Sequence, residues 1–199
     1  DIIPDVVEVL KKLRTGKEKI FHFPKKCPIC GSAVVRPVGE VAHYCTNKNC
    51  FAQRSAGLIH FVSKKGFNMA GLGEKIVEQL MAAGLVRTAA DFFALTLDDL
   101  VPLERFAEKS AENIIAAIKS AKRVSMPKFI YALGIRHVGE GTAVTLAKHF
   151  RTIAALRRAK LSELEAISDV GPIVAKSIFA WFESREAQTL LDALSERGV

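Results

Sequence analysis

A short triplet recurs four times in this chain. Gly71-Leu72-Gly73, Arg105-Phe106-Ala107, His137-Val138-Gly139 and Asp169-Val170-Gly171 stand at offsets of 34, 32 and 32 residues. The flanks keep the same register. Six residues after the first member of each triplet come Val77, Ala111, Ala143 and Ala175, and nine residues after it come Leu80, Ile114, Leu146 and Ile178. Apolar residues at spacings of three and four around each triplet predict helices. One supersecondary unit repeated four times confines the chain to folds in which each unit covers the apolar face of its neighbours. In the third unit the pattern predicts a first helix over residues 129–133, a hairpin over 134–139 and a second helix over 141–150. Leu80, Ile114, Leu146, Ile178 and Trp181 are expected in the core.

This is a helix-hairpin-helix pattern. The small residues Gly73, Gly139 and Gly171 are expected to turn the backbone sharply and let a partner approach where a Cβ would stand. The helix after each hairpin starts at once, so its unpaired N–H groups and positive dipole end point outward. A phosphate oxygen suits that position. In the second unit Ala107 replaces the glycine, and that hairpin is expected to serve mainly for packing, with Lys109 still able to touch a phosphate. His137 is open to two readings, a phosphate contact or a structural hydrogen bond.

The second strong signal is Cys27-Pro28-Ile29-Cys30-Gly31-Ser32, followed 15 positions after Cys30 by Cys45 and then Cys50. Two close cysteine pairs joined by a hairpin-length insert match a four-thiolate zinc site, and Gly31 permits the tight turn after the first pair. With Cys27, Cys30, Cys45 and Cys50 as ligands, one zinc ion has no open position, so its role is structural. Iron on four cysteines is the alternative. His22 and His43 are near enough in sequence to be considered, but four cysteines complete the shell, and both are read as surface or core histidines.

Charge is unevenly placed. Lys plus Arg number 29 against 21 Asp plus Glu, a formal +8. Residues 1–66 hold 12 basic and 5 acidic side chains and residues 119–160 hold 10 and 1, whereas residues 67–118 and 161–199 are net acidic. Lys119, Lys122, Arg123, Arg157 and Arg158 could singly be a solvated face, but a block this one-sided favours an anionic partner. Four thiolates and one Zn²⁺ contribute a net of −2, which leaves about +6 on the metal-loaded chain. With 49% hydrophobic residues the chain is too apolar to be disordered. No apolar run approaches the ~18 residues of a membrane span, and no secretory segment is present, so a cytoplasmic location and no membrane partner are expected.

Residues 1–24 read as β, with Ile2, Ile3, Val6, Val7, Val9 and Leu10 in one run and Ile20, Phe21 and Phe23 in a second. Two strands make no core alone, so this segment reads as the end of a preceding β domain. The chain starts at Asp1 rather than at a methionine, which is expected of an interior slice of a longer protein.

The order of these parts resembles the C-terminal half of bacterial NAD-dependent DNA ligases. The resemblance rests on Asp1-Ile2-Ile3-Pro4, the four cysteines with Ala52-Gln53-Arg54 after them, and the four repeats, including Ala132-Leu133-Gly134-Ile135-Arg136-His137-Val138-Gly139. It covers essentially the whole chain. It implies three parts: the C-terminal end of an oligonucleotide-binding (OB-fold) barrel at 1–24, a four-cysteine zinc finger at 25–54, and a helix-hairpin-helix domain at 55–199. The four repeats are centred near residues 72, 106, 138 and 170. The fold class is mainly α, with the hairpin units arranged as two pseudo-symmetric pairs.

In that family an adenylation domain takes AMP from NAD onto a lysine, and the enzyme seals nicks in duplex DNA during replication and repair. The resemblance implies NAD and Mg²⁺ for the parent enzyme, neither bound here, and double-stranded nicked DNA as partner, held mostly through phosphates by a monomer in the bacterial nucleoid. Gly71, Gly73, Lys75, Lys109, Arg136, His137, Gly139 and Gly171 are the implied DNA-binding residues. The chain departs from the family pattern in three ways. It has no Lys-x-Asp-Gly motif and no NAD-binding segment, and it stops at Gly198-Val199 where the family usually continues to a BRCT domain. No catalytic residue is therefore expected, and the fragment should be inactive alone.

Three other readings compete. A non-enzymatic helix-hairpin-helix and zinc module of a repair or recombination protein explains the repeats, but not a zinc module placed before four of them. A protein-docking scaffold sits badly with the basic block. A glycosylase or nuclease needs more than Asp169, which alone reads as a helix cap.

Overall fold

The computed structural model describes residues 4–103 and 107–199. Ile2 and Ile3 of the expected first strand, and Arg105 and Phe106 of the second triplet, lie outside the described residues. The chain divides into two compact units, residues 1–50 and residues 51–199.

The first unit is small and mostly irregular. Its sheet has two strands, β1 (Val34–Val35) and β2 (Tyr44–Cys45), antiparallel with Val34 opposite Cys45 and Val35 opposite Tyr44. The strands expected over residues 1–24 are not found among residues 4–24, which hold one 3-10 turn at Lys11–Leu13 and are otherwise irregular. The physical reason is a lack of partners. Val7 is 96% exposed and Phe21 74% exposed, so these β-prone side chains find no sheet or core to pack on among the described residues of this unit.

The second unit is all helical. In chain order it contains α1 (Phe51–Val62), α2 (Glu74–Ala82), a 3-10 segment (Ala89–Ala94), α3 (Leu97–Leu100), α4 (Glu108–Ala121) and α5 (Met126–Ala132). There follow α6 (Glu140–Phe150), α7 (Ile153–Arg157), α8 (Leu161–Glu165), α9 (Pro172–Glu183) and α10 (Arg185–Glu196). Each triplet sits immediately before the second helix of its unit, and the packed pairs are α1 with α2, α3 with α4, α5 with α6 and α8 with α9. The expected register is observed. Val77, Ala111, Ala143 and Ala175 are fully buried, as are Leu80, Leu146 and Ile178, with Ile114 nearly so. Trp181 is half-buried and packs against the same core. None of the helices among the described residues is long and apolar enough to cross a membrane.

The units associate in two pairs. A Cβ on Gly71 in the first hairpin would stand 2.8 Å from the Ile114 side chain of α4, so the first hairpin abuts the second unit. In the other pair Ser177 Oγ of α9 donates to the Arg136 carbonyl of the third hairpin at 2.8 Å. The connectors match too. Each begins at a threonine: the Thr88 N–H donates to Asp91 Oδ2 at 2.7 Å, and Thr152 accepts from the Ala155 N–H at the start of α7. One core joins the pairs, with α1 against α5 and α10 against the 3-10 segment. His60 Nε2 of α1 donates to the Tyr131 carbonyl of α5 at 2.7 Å.

Gly66, in the turn after α1, lies beside that junction. A Cβ there would lie 2.5 Å from the Phe61 carbonyl oxygen and 3.1 Å from the Ala132 Cβ. Gly57, midway along α1, has open space on its side-chain face. Gly66→Ala should therefore lower stability by about 1–3 kcal/mol through overpacking. Gly57→Ala should raise it by about 0.5–1 kcal/mol through helix propensity. Denaturant midpoints of the two variants check the opposite signs.

Candidate metal centre and nucleic-acid interface

The four cysteines are brought together by two turns and the two-stranded sheet. After Cys27 the chain reverses, with the Gly31 N–H donating to the Cys27 carbonyl at 2.9 Å and the Cys27 N–H to the Ser32 carbonyl at 2.8 Å. Gly31 takes φ +72°, a conformation that favours glycine. β2 carries Cys45, and an Asn47 turn brings back Cys50, whose N–H donates to the Asn47 carbonyl at 3.0 Å. All four sulfurs lie within 4.8 Å of one another, with Cys27 and Cys50 at 3.9 Å and Cys30 and Cys45 at 3.4 Å. A tetrahedral zinc with Zn–S bonds of about 2.3 Å requires sulfurs about 3.8 Å apart. The donor set fits one such ion, and the cluster contains no histidine. His43 instead stacks on Phe23, with ring centroids 3.9 Å apart.

Cys30 and Cys45 are pushed in opposite directions. Hydrogen bonds from the Ser32 hydroxyl and backbone draw the Cys30 thiol down to about 6. Cys45 goes the other way, to about 12: the Asn47 N–H favours its thiolate, but lost hydration and the neighbouring sulfurs of Cys30 and Cys27 outweigh it. Sulfurs this close oppose one another's ionisation unless a cation sits between them.

The three described hairpins share one geometry. The first residue of the triplet is left-handed, with φ +90° at Gly71 and +66° at both His137 and Asp169. The middle residue, Leu72, Val138 or Val170, is buried. The third, Gly73, Gly139 or Gly171, is the extended N-cap of α2, α6 or α9, with φ −77°, −89° and −68°. The sharp turn expected of these glycines is thus made two residues earlier. Nothing inside the protein lies within 4 Å of where their Cβ atoms would stand. Asp169, read from sequence as a cap, is exposed and lies two residues before the cap position.

These glycine caps leave donors open. No side chain caps α2, α6 or α9, whereas Thr152 caps α7 and Ser184 caps α10 with hydrogen bonds from Ala155 and Ala187. Apart from Ile76, whose N–H donates to the Gly73 carbonyl at 3.0 Å, the first-turn N–H groups of α2 and α6 lack intrahelical acceptors. Pro172 removes one such donor from α9, so the fourth hairpin offers fewer N–H groups than the first and third.

Lys75, Arg136, His137 and Lys109 lie on exposed positions. Lys109 pairs with Glu112 at 3.2 Å, and the second hairpin's helix, α4, is capped by Ala107. Lys64, Lys65 and Lys128, absent from the sequence reading, line a common cleft with Glu140. Their convergence depends on α1 packing against α5, which no local pattern reveals.

Comparison with known proteins agrees with both parts. Residues 26–52 match the NAD-dependent DNA ligase C4 zinc finger domain. Residues 67–120 match a SAM-like helix-hairpin-helix tandem and residues 128–191 a helix-hairpin-helix motif. The whole chain is 48% identical to a DNA ligase of Halalkalibacterium halodurans and 47% identical to DNA ligases of Pelotomaculum thermopropionicum and Bacillus cereus. It spans 29–30% of the length of these relatives.

Zinc analysis should find one ion per chain. A strong chelator should remove it and abolish hydrogen-exchange protection at Val34 and Thr46, because a two-stranded sheet does not persist alone. Cys45→Ser should produce the same loss without chelator.

Proposed function

We propose, for a chain that belongs to the NAD-dependent DNA ligase family, that it is the part of the enzyme that grips nicked duplex DNA by its phosphates. The observation that supports this most is the set of glycine N-caps at Gly73, Gly139 and Gly171. They are neither left-handed nor crowded, so the fold itself gains nothing from a missing Cβ there. A partner whose phosphate oxygens must approach the helix N-termini gains both space and donors. Contacts of this kind position a duplex without reading its sequence.

Gly71, Gly73, Lys75, Arg136, His137 and Gly139 belong to the two stronger hairpins, Gly171 to a weaker one, and Lys109 gives the second unit a single charge contact. The zinc finger at 25–54 is a structural element that zinc holds together, and residues 1–24 are the end of an OB-fold barrel. The parent enzyme seals nicks in replication and repair, using NAD as adenylate donor and Mg²⁺. That chemistry resides outside these residues, since the chain has no Lys-x-Asp-Gly motif. The fragment acts as a monomer in the bacterial nucleoid.

Gly139→Val tests this reading. Because the site is open, the melting temperature should stay unchanged, while affinity for a labelled nicked duplex falls several-fold and its salt dependence becomes shallower. Wild-type affinity and salt slope in a folded Gly139→Val protein would refute it. Incubation with NAD should leave no AMP adduct on the 199 residues, as mass spectrometry can check.

A further inference from the structure

The turn after α1 places Lys64 and Lys65 in a fixed position. The Phe67 N–H donates to the Phe61 carbonyl at 2.9 Å, the Asn68 N–H to the Ser63 carbonyl at 2.8 Å and the Met69 N–H to the Val62 carbonyl at 3.0 Å. Facing this turn are the start of α5, with Lys128, and the start of α6, with Glu140. Together they rim an open cleft of about 410 Å³ whose floor is formed by Pro127, Tyr131 and Val144.

Lys65 Nζ lies 2.6 Å from Glu140 Oε1, so this pair cancels. Lys64 and Lys128 are exposed and make no ion pair among the described residues. The cleft therefore carries two uncompensated positive charges over an apolar floor. Glu140 follows Gly139 directly, so the cleft adjoins the N–H groups of the third hairpin.

We propose that this cleft is a second phosphate seat for the DNA strand held at the third hairpin. The strand's sugars run over Pro127, Tyr131 and Val144, and its phosphates face Lys64 and Lys128. Lys65 is a positioning residue: it holds the Glu140 carboxylate in an ion pair, which otherwise would repel phosphates at both the hairpin and the cleft. The proposal rests on the reading of the hairpins as DNA-facing. Free nucleotides and inorganic phosphate share this anion chemistry, but an open cleft with apolar lining between its lysines suits a polymer backbone better than a small, fully hydrated ion.

The experiment is a salt titration of nicked-duplex binding by the 199-residue chain, with melting temperatures recorded for every variant. Lys64→Ala combined with Lys128→Ala should make the log–log salt slope shallower by about 2 and weaken binding roughly tenfold, with no change in melting. Lys65→Ala should cost more than Lys64→Ala, and adding Glu140→Gln to Lys65→Ala should recover most of that excess. This rescue is absent if Lys65 merely contributes charge. A double variant with the wild-type slope, alongside a Gly139→Val protein whose slope is reduced, would overturn the cleft and leave the hairpin reading standing. A wild-type chain that fails to bind duplex would overturn both. Pyrophosphate that, at matched ionic strength, displaces duplex from the wild type but not from the double variant would identify a small-anion site and also overturn the proposal.

Discussion

The helical unit is organised by one buried aliphatic side chain at the middle of each described hairpin. Leu72, Val138 and Val170 are 5%, 8% and 4% exposed. Burying each is worth about 1.5–3 kcal/mol. To insert this residue between two helices the chain must reverse just before it, which puts the preceding residue in the left-handed region. Gly71 adopts that conformation without strain, while His137 and Asp169 at φ +66° each cost about 1–2 kcal/mol. The burial term matches or exceeds the strain, so the hairpin tolerates a side chain at its first position. The same insertion aims the third residue outward in an extended conformation and starts the next helix there, so packing inside the protein determines where the free N–H groups point.

This separates two roles that glycine can play. Gly71 is needed by the fold itself, since it is both left-handed and pressed against Ile114. Gly73, Gly139 and Gly171 are needed by neither conformation nor packing. Thr152 and Ser184 cap α7 and α10 with their own oxygens, whereas α5 and α8, like the hairpin helices, start without a side-chain cap. An Ncap serine or threonine contributes about 1 kcal/mol over alanine. Glycine at three equivalent ends forgoes the side-chain oxygen and leaves that position open.

Much of this was legible in the sequence because it is periodic or local. The 32- to 34-residue offsets put Val77, Ala111, Ala143 and Ala175 in the core, and the cysteine spacing marked the metal cluster, since cysteines separated by only two or four residues must share a turn. What the sequence hid depends on partners. Val6, Val7 and Phe21 have strand propensity but no neighbouring strand in their unit, and propensity without pairing does not make a sheet. The exchange of roles between first and third hairpin residues was hidden because Gly71 and Gly73 look alike on paper, while His137 and Asp169 occupy a glycine-like conformation without being glycine. Ser177 on the Arg136 carbonyl and Lys65 on Glu140 join residues distant in the chain, and only the packed units bring them together.

The hairpins also carry an internal opponent. Glu74, Glu108 and Glu140 occupy the first position of α2, α4 and α6, where a carboxylate is favoured by the helix dipole. The same field that would attract a phosphate is partly satisfied by the protein's own acid, so each of these three helix starts would hold an anion only weakly by itself. Several weak seats on one rigid core bind an extended polyanion through effective concentration, whereas an isolated phosphate engages one seat and gains no such advantage. In the third unit Lys65 offsets the opposing carboxylate, and that unit also lies in the most basic stretch of the chain. A duplex would thus be held most firmly at the third hairpin and more loosely at the fourth, where Pro172 takes away a donor and Asp169 adds a negative charge.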